Sequence, residues 1–128
     1  MKPRLTLRID LGPGQSIGPG KMRLLEAVAE TGSISSAGRA LGMSYRRAWI
    51  LIEQMNLGFR RKVVTTQLGG THGGGAKLTP FGEDVLKRYR AIESKAESGA
   101  TAHLVFLARA LRPGKAAAPA KHTRLSRS

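Results

Sequence analysis

The sequence predicts a mainly α-helical chain with one small β-hairpin, and three observations carry that prediction. Apolar residues recur on three- and four-residue steps in four separate stretches, the spacing of helices that bury one face. Serines stand just ahead of two of these stretches, at Ser33 and Ser44, where a hydroxyl can accept from a free helical N–H. Between the third and fourth stretches lies RRKVVTTQL (60–68), rich in β-branched residues, then GGTHGGGA and KLT. That run predicts a strand, a glycine-rich tip and a short return strand.

At the N-terminus, Leu5, Leu7, Ile9 and Leu11 alternate with polar residues and predict a strand. Pro13, Gly14, Gly18, Pro19 and Gly20 predict a loop after it. The first helix is expected over 21–31, with Met22, Leu25, Val28 and Ala29 on its inner side and Gly32 just past its end. A short second helix runs from Ile34 to Leu41. Gly42 then suits a tight turn that needs positive φ. The third helix starts after Ser44 and reaches about Leu57. Two helices joined by a short glycine turn form a helix-turn-helix signature. Thr79, Pro80 and Glu83 open a fourth, long helix whose stripe is Phe81, Val85, Tyr89, Ile92 and Ala96. The whole order is a winged helix-turn-helix: mainly α, with a small β-wing and a long C-terminal helix. The expected divisions are 1–100 for this domain, 101–111 for an apolar helical extension and 112–128 for a basic flexible tail.

The bulk composition narrows the function classes. The 128 residues include 22 Lys and Arg against 8 acids, a net charge of +14. The excess is spread evenly, because residues 1–64 and 65–128 each hold 11 basic and 4 acidic residues. Such a charge favours a polyanionic partner. There is no cysteine, which excludes disulfides, thiolate zinc sites and thiol nucleophiles. Three widely spaced histidines, at 72, 103 and 122, do not form a zinc site. Charges interrupt the N-terminal apolar residues, so no signal peptide is expected, and Leu104 to Ala108 is far too short to span a bilayer. No paired carboxylates or Ser/His/Asp set suggests an enzyme. No cofactor or membrane partner is expected, and the expected location is the cytoplasm, in association with the nucleoid.

The third helix carries the candidate contacts. At about 100° per residue, Ala48, Trp49, Ile52 and Met55 fall together, with Tyr45 and Asn56 close by. That side is expected to face the core, Tyr45 and Trp49 included. Arg46, Arg47, Ile50 and Gln54 fall on the other side. Cations at a helix N-terminus oppose its dipole unless an anion lies close by. Double-stranded DNA is the anion expected there. Arg pairs with guanine, Gln with adenine, and Ile50 suits a thymine methyl. Solvated surface charge is the competing account of the arginines, and simple exposure that of Gln54. Arg39 and Ser44 are expected to hold phosphates near the helix start. In the wing, Lys62, Thr71, His72 and Lys77 are the expected contacts. GGTHGGGA lacks the GxxxxGK[ST] spacing of a P-loop, so a nucleotide site is rejected. The tail, with six basic residues and no acid from Arg109 onward, can add nonspecific affinity through counterion release or act only as a solubilising end.

Two stretches, GSISSAGRALGMSYRRAWILIEQMN (32–56) and GGTHGGGAKLTPFGEDVL (69–86), resemble the DNA-binding domain of ModE-type, molybdate-responsive transcription regulators. These are relatives of LysR-type winged-helix domains, and the resemblance covers about residues 5–100. It rests on Ser44, Tyr45, Ala48 and Trp49, on Met55-Asn56 and on the wing motif. It implies a homodimeric repressor or activator that binds operators with two-fold symmetry. Dimerisation is implied through the helix after the wing. Here that means Phe81, Val85, Tyr89 and Ile92, with Leu104, Phe106 and Leu107 in the extension. The family's full-length members carry a C-terminal molybdate-binding portion. None is expected here, so any molybdate response is assigned to a separate molybdate-binding protein. Thr71-His72 also replaces a basic residue often found at the wing tip.

Three functions compete. The first is a sequence-specific transcription regulator. The second is a nonspecific nucleoid-associated DNA-binding protein. The third is an adaptor, which pairs with a separate oxyanion sensor or recruits another protein through 100–111. Few aromatics and no aromatic-studded sheet argue against single-strand or RNA stacking.

Overall fold

The computed structural model describes residues 2–67 and 75–113. The elements run β1 (Ile9–Gly12), β2 (Gln15–Ile17), α1 (Pro19–Thr31), α2 (Ile34–Ala40), α3 (Tyr45–Gly58), β3 (Val64–Gln67), β4 (Gly75–Leu78) and α4 (Pro80–Arg109). β1 pairs antiparallel with β2, and β3 with β4 in the register Val64–Leu78, Thr65–Lys77, Thr66–Ala76 and Gln67–Gly75. This is a mainly helical fold with a small antiparallel wing and a long C-terminal helix.

The helix boundaries follow from their caps. Ser33 Oγ accepts from Ser36 N at 3.1 Å, and Ser44 Oγ from Arg47 N at 3.1 Å. Thr79 Oγ1 accepts from Gly82 N at 2.9 Å and donates to Lys62 O at 2.7 Å, so one hydroxyl starts α4 and holds the wing base. Gly42, at φ 73°, makes the α2–α3 turn in the left-handed region that side chains resist. Met43 N then closes on Gly38 O at 2.9 Å.

Met22, Leu24, Leu25 and Val28 of α1 form the centre of the core. Ile34 and Ala37 come in from α2, Ala48, Ile52 and Met55 from α3, and Tyr89 from α4. Val63, Val64, Ala76 and Leu78 close it from the wing. Gly82 lets α4 start directly against the wing, because a Cβ there would collide with the Val63 carbonyl.

Three expectations need correction. The predicted N-terminal strand over 5–11 is shorter and lies later, with a turn at Pro13-Gly14 and a partner strand in the expected loop. Among the described residues Leu5 and Leu7 have no neighbouring strand; Leu5 N instead donates to Glu97 Oε2 at 3.2 Å, and Leu7 O accepts from Tyr89 Oη at 2.6 Å. The fourth helix, whose expected stripe ends at Ala96, continues through Gly99: α4 has 30 residues, about 45 Å. A mid-helix glycine costs only about 1 kcal/mol relative to alanine, so it does not end the helix. Third, Tyr45 and Trp49 are not core residues: they are 55% and 42% exposed. α2 and α3 approach so closely that a Cβ on Gly38 would lie 3.2 Å from Ala48 Cβ. The place of α3 against α2 is taken by small residues such as Ala48, and Tyr45 and Trp49 lie outside it.

Candidate nucleic-acid interface

The outward side of α3 presents Arg46, Arg47, Ile50 and Gln54, while Ala48, Ile52 and Met55 anchor the opposite side. Arg39, near the end of α2, and Ser44 flank the start of α3. Arg39 Nη2 reaches Ser36 Oγ at 3.4 Å. Ser44 Oγ already caps α3, and its hydroxyl proton remains available to an anion. No acid stands in the first turn of α3.

Charge pairing is unevenly distributed. Among the described residues the ion pairs are Arg8–Asp10 and the contacts of Arg90 with Glu26 and Glu93. None involves Arg39, Arg46, Arg47, Lys62 or Lys77. These cations therefore face solvent uncompensated, the condition under which a polyanion gains most from approaching.

The wing is fixed to the helices by its base. Asn56, in the last turn of α3, accepts at Oδ1 from Val63 N at 2.7 Å and from Val64 N at 3.3 Å, and its Nδ2 donates to Val64 O at 3.1 Å. Ala76 N donates to Gly32 O at 2.9 Å, and Thr79 N to Val63 O at 3.0 Å. Phe59 and Phe81 meet edge to face at 5.4 Å beneath Arg61, whose guanidinium lies 6.0 Å from the Phe81 ring. Lys62, just before β3, and Lys77, opposite Thr65 in β4, are both exposed. Thr71 and His72, expected at the wing tip, lie outside the described residues.

Sequence reasoning missed two parts of the site. It used Asn56 only as a signature residue, though a polar side chain in the last turn of an otherwise apolar face signals a backbone partner. It also assigned Tyr45 and Trp49 to the core, although with Arg46 and Ile50 they line one shallow concavity on the surface of α3.

The expected dimer residues divide in two. Phe81 and Val85 pack on the domain's own core, and Tyr89 is buried within it. Tyr89 has little surface left to offer a second copy, while Phe81 and Val85 are only partly buried. Ile92, Phe106 and Leu107 are exposed and Leu104 is half-buried. No helix of the described residues is long and apolar enough to cross a membrane, and no group of three metal-ligating side chains occurs among them.

Comparison with known proteins matches this geometry to a family. The model of bacterial regulatory helix-turn-helix proteins, lysR family, matches residues 20–83, half of the chain and the span from α1 to the first turn of α4. The chain is 46% identical over 81 residues to the molybdenum-pterin-binding protein MopB of Rhodobacter capsulatus, covering 63% of this chain and 30% of that protein. It is 35% identical over 92 residues to the molybdenum transport protein ModE of Azotobacter vinelandii, covering 72% and 34%. The chain thus spans about a third of the length of these curated relatives. A crystal structure of a CbnR_DBD–DNA complex superposes with a TM-score of 0.51 at 20% identity, covering 68% of this chain and 95% of that one, a likeness of fold. The matched family is one of bacterial regulatory helix-turn-helix proteins.

Proposed function

The chain belongs to the lysR family of bacterial regulatory helix-turn-helix proteins, and from that premise we propose that it is a sequence-specific transcription regulator of the ModE type that binds operator DNA as a homodimer. One observation carries the reading: the exposed first turn of α3 holds Arg46 and Arg47 with no acid in that turn and no ion pair among the described residues. The helix dipole and two cations then act together on an anion that approaches the helix start. Arg46, Arg47, Ile50 and Gln54 enter the major groove, Arg39 and Ser44 hold phosphates, and Lys62 and Lys77 take the backbone beside the wing.

Dimerisation is supported by the far end of α4. Val105, Phe106 and Leu107 are exposed there, as are Ile92 near the middle of α4 and Leu111 just past its end, and no described residue beyond Tyr89 belongs to the buried core. Pairing these helices across a two-fold axis would cover the apolar groups and set two α3 helices about one DNA turn apart, ~34 Å. The names of the relatives connect the proposed regulon to molybdenum, with a separate molybdate-binding protein as the partner that supplies any response.

The test is selection from random duplexes by the purified chain at about physiological salt, with and without molybdate. A motif with two-fold symmetry is the expected result. Binding without a motif that collapses steeply as salt rises would replace this reading with a charge-driven nucleoid protein.

A further inference from the structure

Tyr45, Trp49 and Ile50 give α3 an apolar strip that the arginine contacts do not use. Ile50 is 39% exposed, its two neighbours are more open, and Arg46 borders the same concavity. Tyr45 and Trp49 stand four residues apart, so their rings follow one another along one side of the helix. Two exposed aromatics and an isoleucine side by side on a helix that buries only Ala48, Ile52 and Met55 mark a contact surface. The chemistry of the surroundings selects the occupant. Arg46 lies within the strip and Arg47 follows it, both without an ion pair among the described residues. An apolar protein partner would strand these cations. A polyanion that shows apolar groups inside a groove satisfies both kinds of side chain. The apolar group that base pairs display in the major groove is the 5-methyl of thymine.

We propose that Tyr45, Trp49 and Ile50 receive thymine 5-methyl groups and thereby select A·T pairs next to the positions read by Arg46. This rests on the DNA-binding reading above and narrows it to a base class and three residues. Covering one methyl-sized group in this way is worth about fourfold in affinity. Deoxyuridine keeps the pairing face of thymine and lacks only the methyl, so it isolates the contact.

The experiment uses the full chain and the duplex it enriches from a random pool. Each thymine of that duplex is replaced singly by deoxyuridine, and affinities are measured by fluorescence anisotropy for the parent, Tyr45→Ala, Trp49→Ala and Ile50→Ala. The parent should lose about fourfold at one or more positions of each half-site. At those positions at least one of the three variants should bind the thymine and uracil duplexes equally. The parent measurement needs no variant, so it stands even if a substitution disturbs folding. The proposal is overturned if every uracil duplex binds the parent as the thymine duplex does, or if the uracil effect survives in all three variants. It is also overturned if Tyr45→Ala, Trp49→Ala and Ile50→Ala all leave affinity unchanged, which would point to a protein partner. When any of these occurs while Arg46→Ala still weakens binding, the DNA reading stands and the strip alone falls. Absence of any enriched sequence brings down both.

Discussion

Asn56 and Val64 exchange a pair of hydrogen bonds, side-chain amide to backbone amide, as two strands would. Asn56 Nδ2 donates to Val64 O at 3.1 Å while Oδ1 accepts from Val64 N at 3.3 Å, and the same oxygen takes Val63 N at 2.7 Å. The last turn of α3 thus serves as the partner for the first residues of the wing. Asn56→Ala would leave buried backbone groups of Val63 and Val64 without partners. The expected loss is about 1–3 kcal/mol in urea denaturation. Asn56→Asp keeps the acceptor but sets a carboxylate oxygen against Val64 O, so it should not restore the parent stability. An aspartate variant as stable as the parent would contradict this account.

Arg46 and Arg47 should separate from Lys77 in the way they fail. Each arginine changed to alanine should cost about 1–3 kcal/mol on the selected operator and relax the preference at one base position. Lys77→Ala should weaken all duplexes alike and lower the salt slope by about one. All three side chains are exposed, so thermal unfolding should barely move. Unchanged operator affinity in both arginine variants would remove α3 from the base-reading role.

Phe106 and Leu107 are 72% and 60% exposed near the end of α4. Changing both to glutamate should give monomers in sedimentation equilibrium at concentrations where the parent dimerises. Affinity for a single half-site should persist while affinity for the full operator drops. A variant that still dimerises would locate the interface elsewhere.

Tyr89 supplies a pH-dependent contribution. Burial, reinforced by nearby Glu93, pushes its hydroxyl pKa above the usual value near 10. The folded state therefore holds this proton more tightly than the unfolded state. The resulting stability is present below pH 10 and is lost as pH rises through the folded pKa. Tyr89→Phe removes the 2.6 Å bond to Leu7 O. It should be less stable than the parent by about 1 kcal/mol at neutral pH, and the gap should shrink or reverse in alkaline solution. A gap that is constant with pH would sink the assignment.

Much of this architecture is legible from local chemistry. Ser33, Ser44 and Thr79 cap helices, and Gly32 and Gly42 take positive φ, because those requirements involve only a few neighbouring residues. What depends on distant partners is less readable. Leu5 and Leu7 alternate like a strand, yet their backbone partners are Glu97 and Tyr89, more than 80 residues away. Trp49 falls on the apolar side of a helical projection, yet it is exposed, because which residues of that side meet a neighbouring helix is set by tertiary packing that the projection does not contain. The outward positions of Arg46, Arg47, Ile50 and Gln54 follow from periodicity; the hold of Asn56 on the wing does not.

The two sides of α3 share almost no duties. Ala48, Ile52 and Met55 hold the helix to the domain, while Arg46, Arg47, Ile50 and Gln54 touch nothing the core depends on. A duplicated gene can therefore drift at the outward positions without losing a folded product. Its descendants would keep one scaffold and answer to different promoters, so kinship in the scaffold is a poor guide to kinship in the targets.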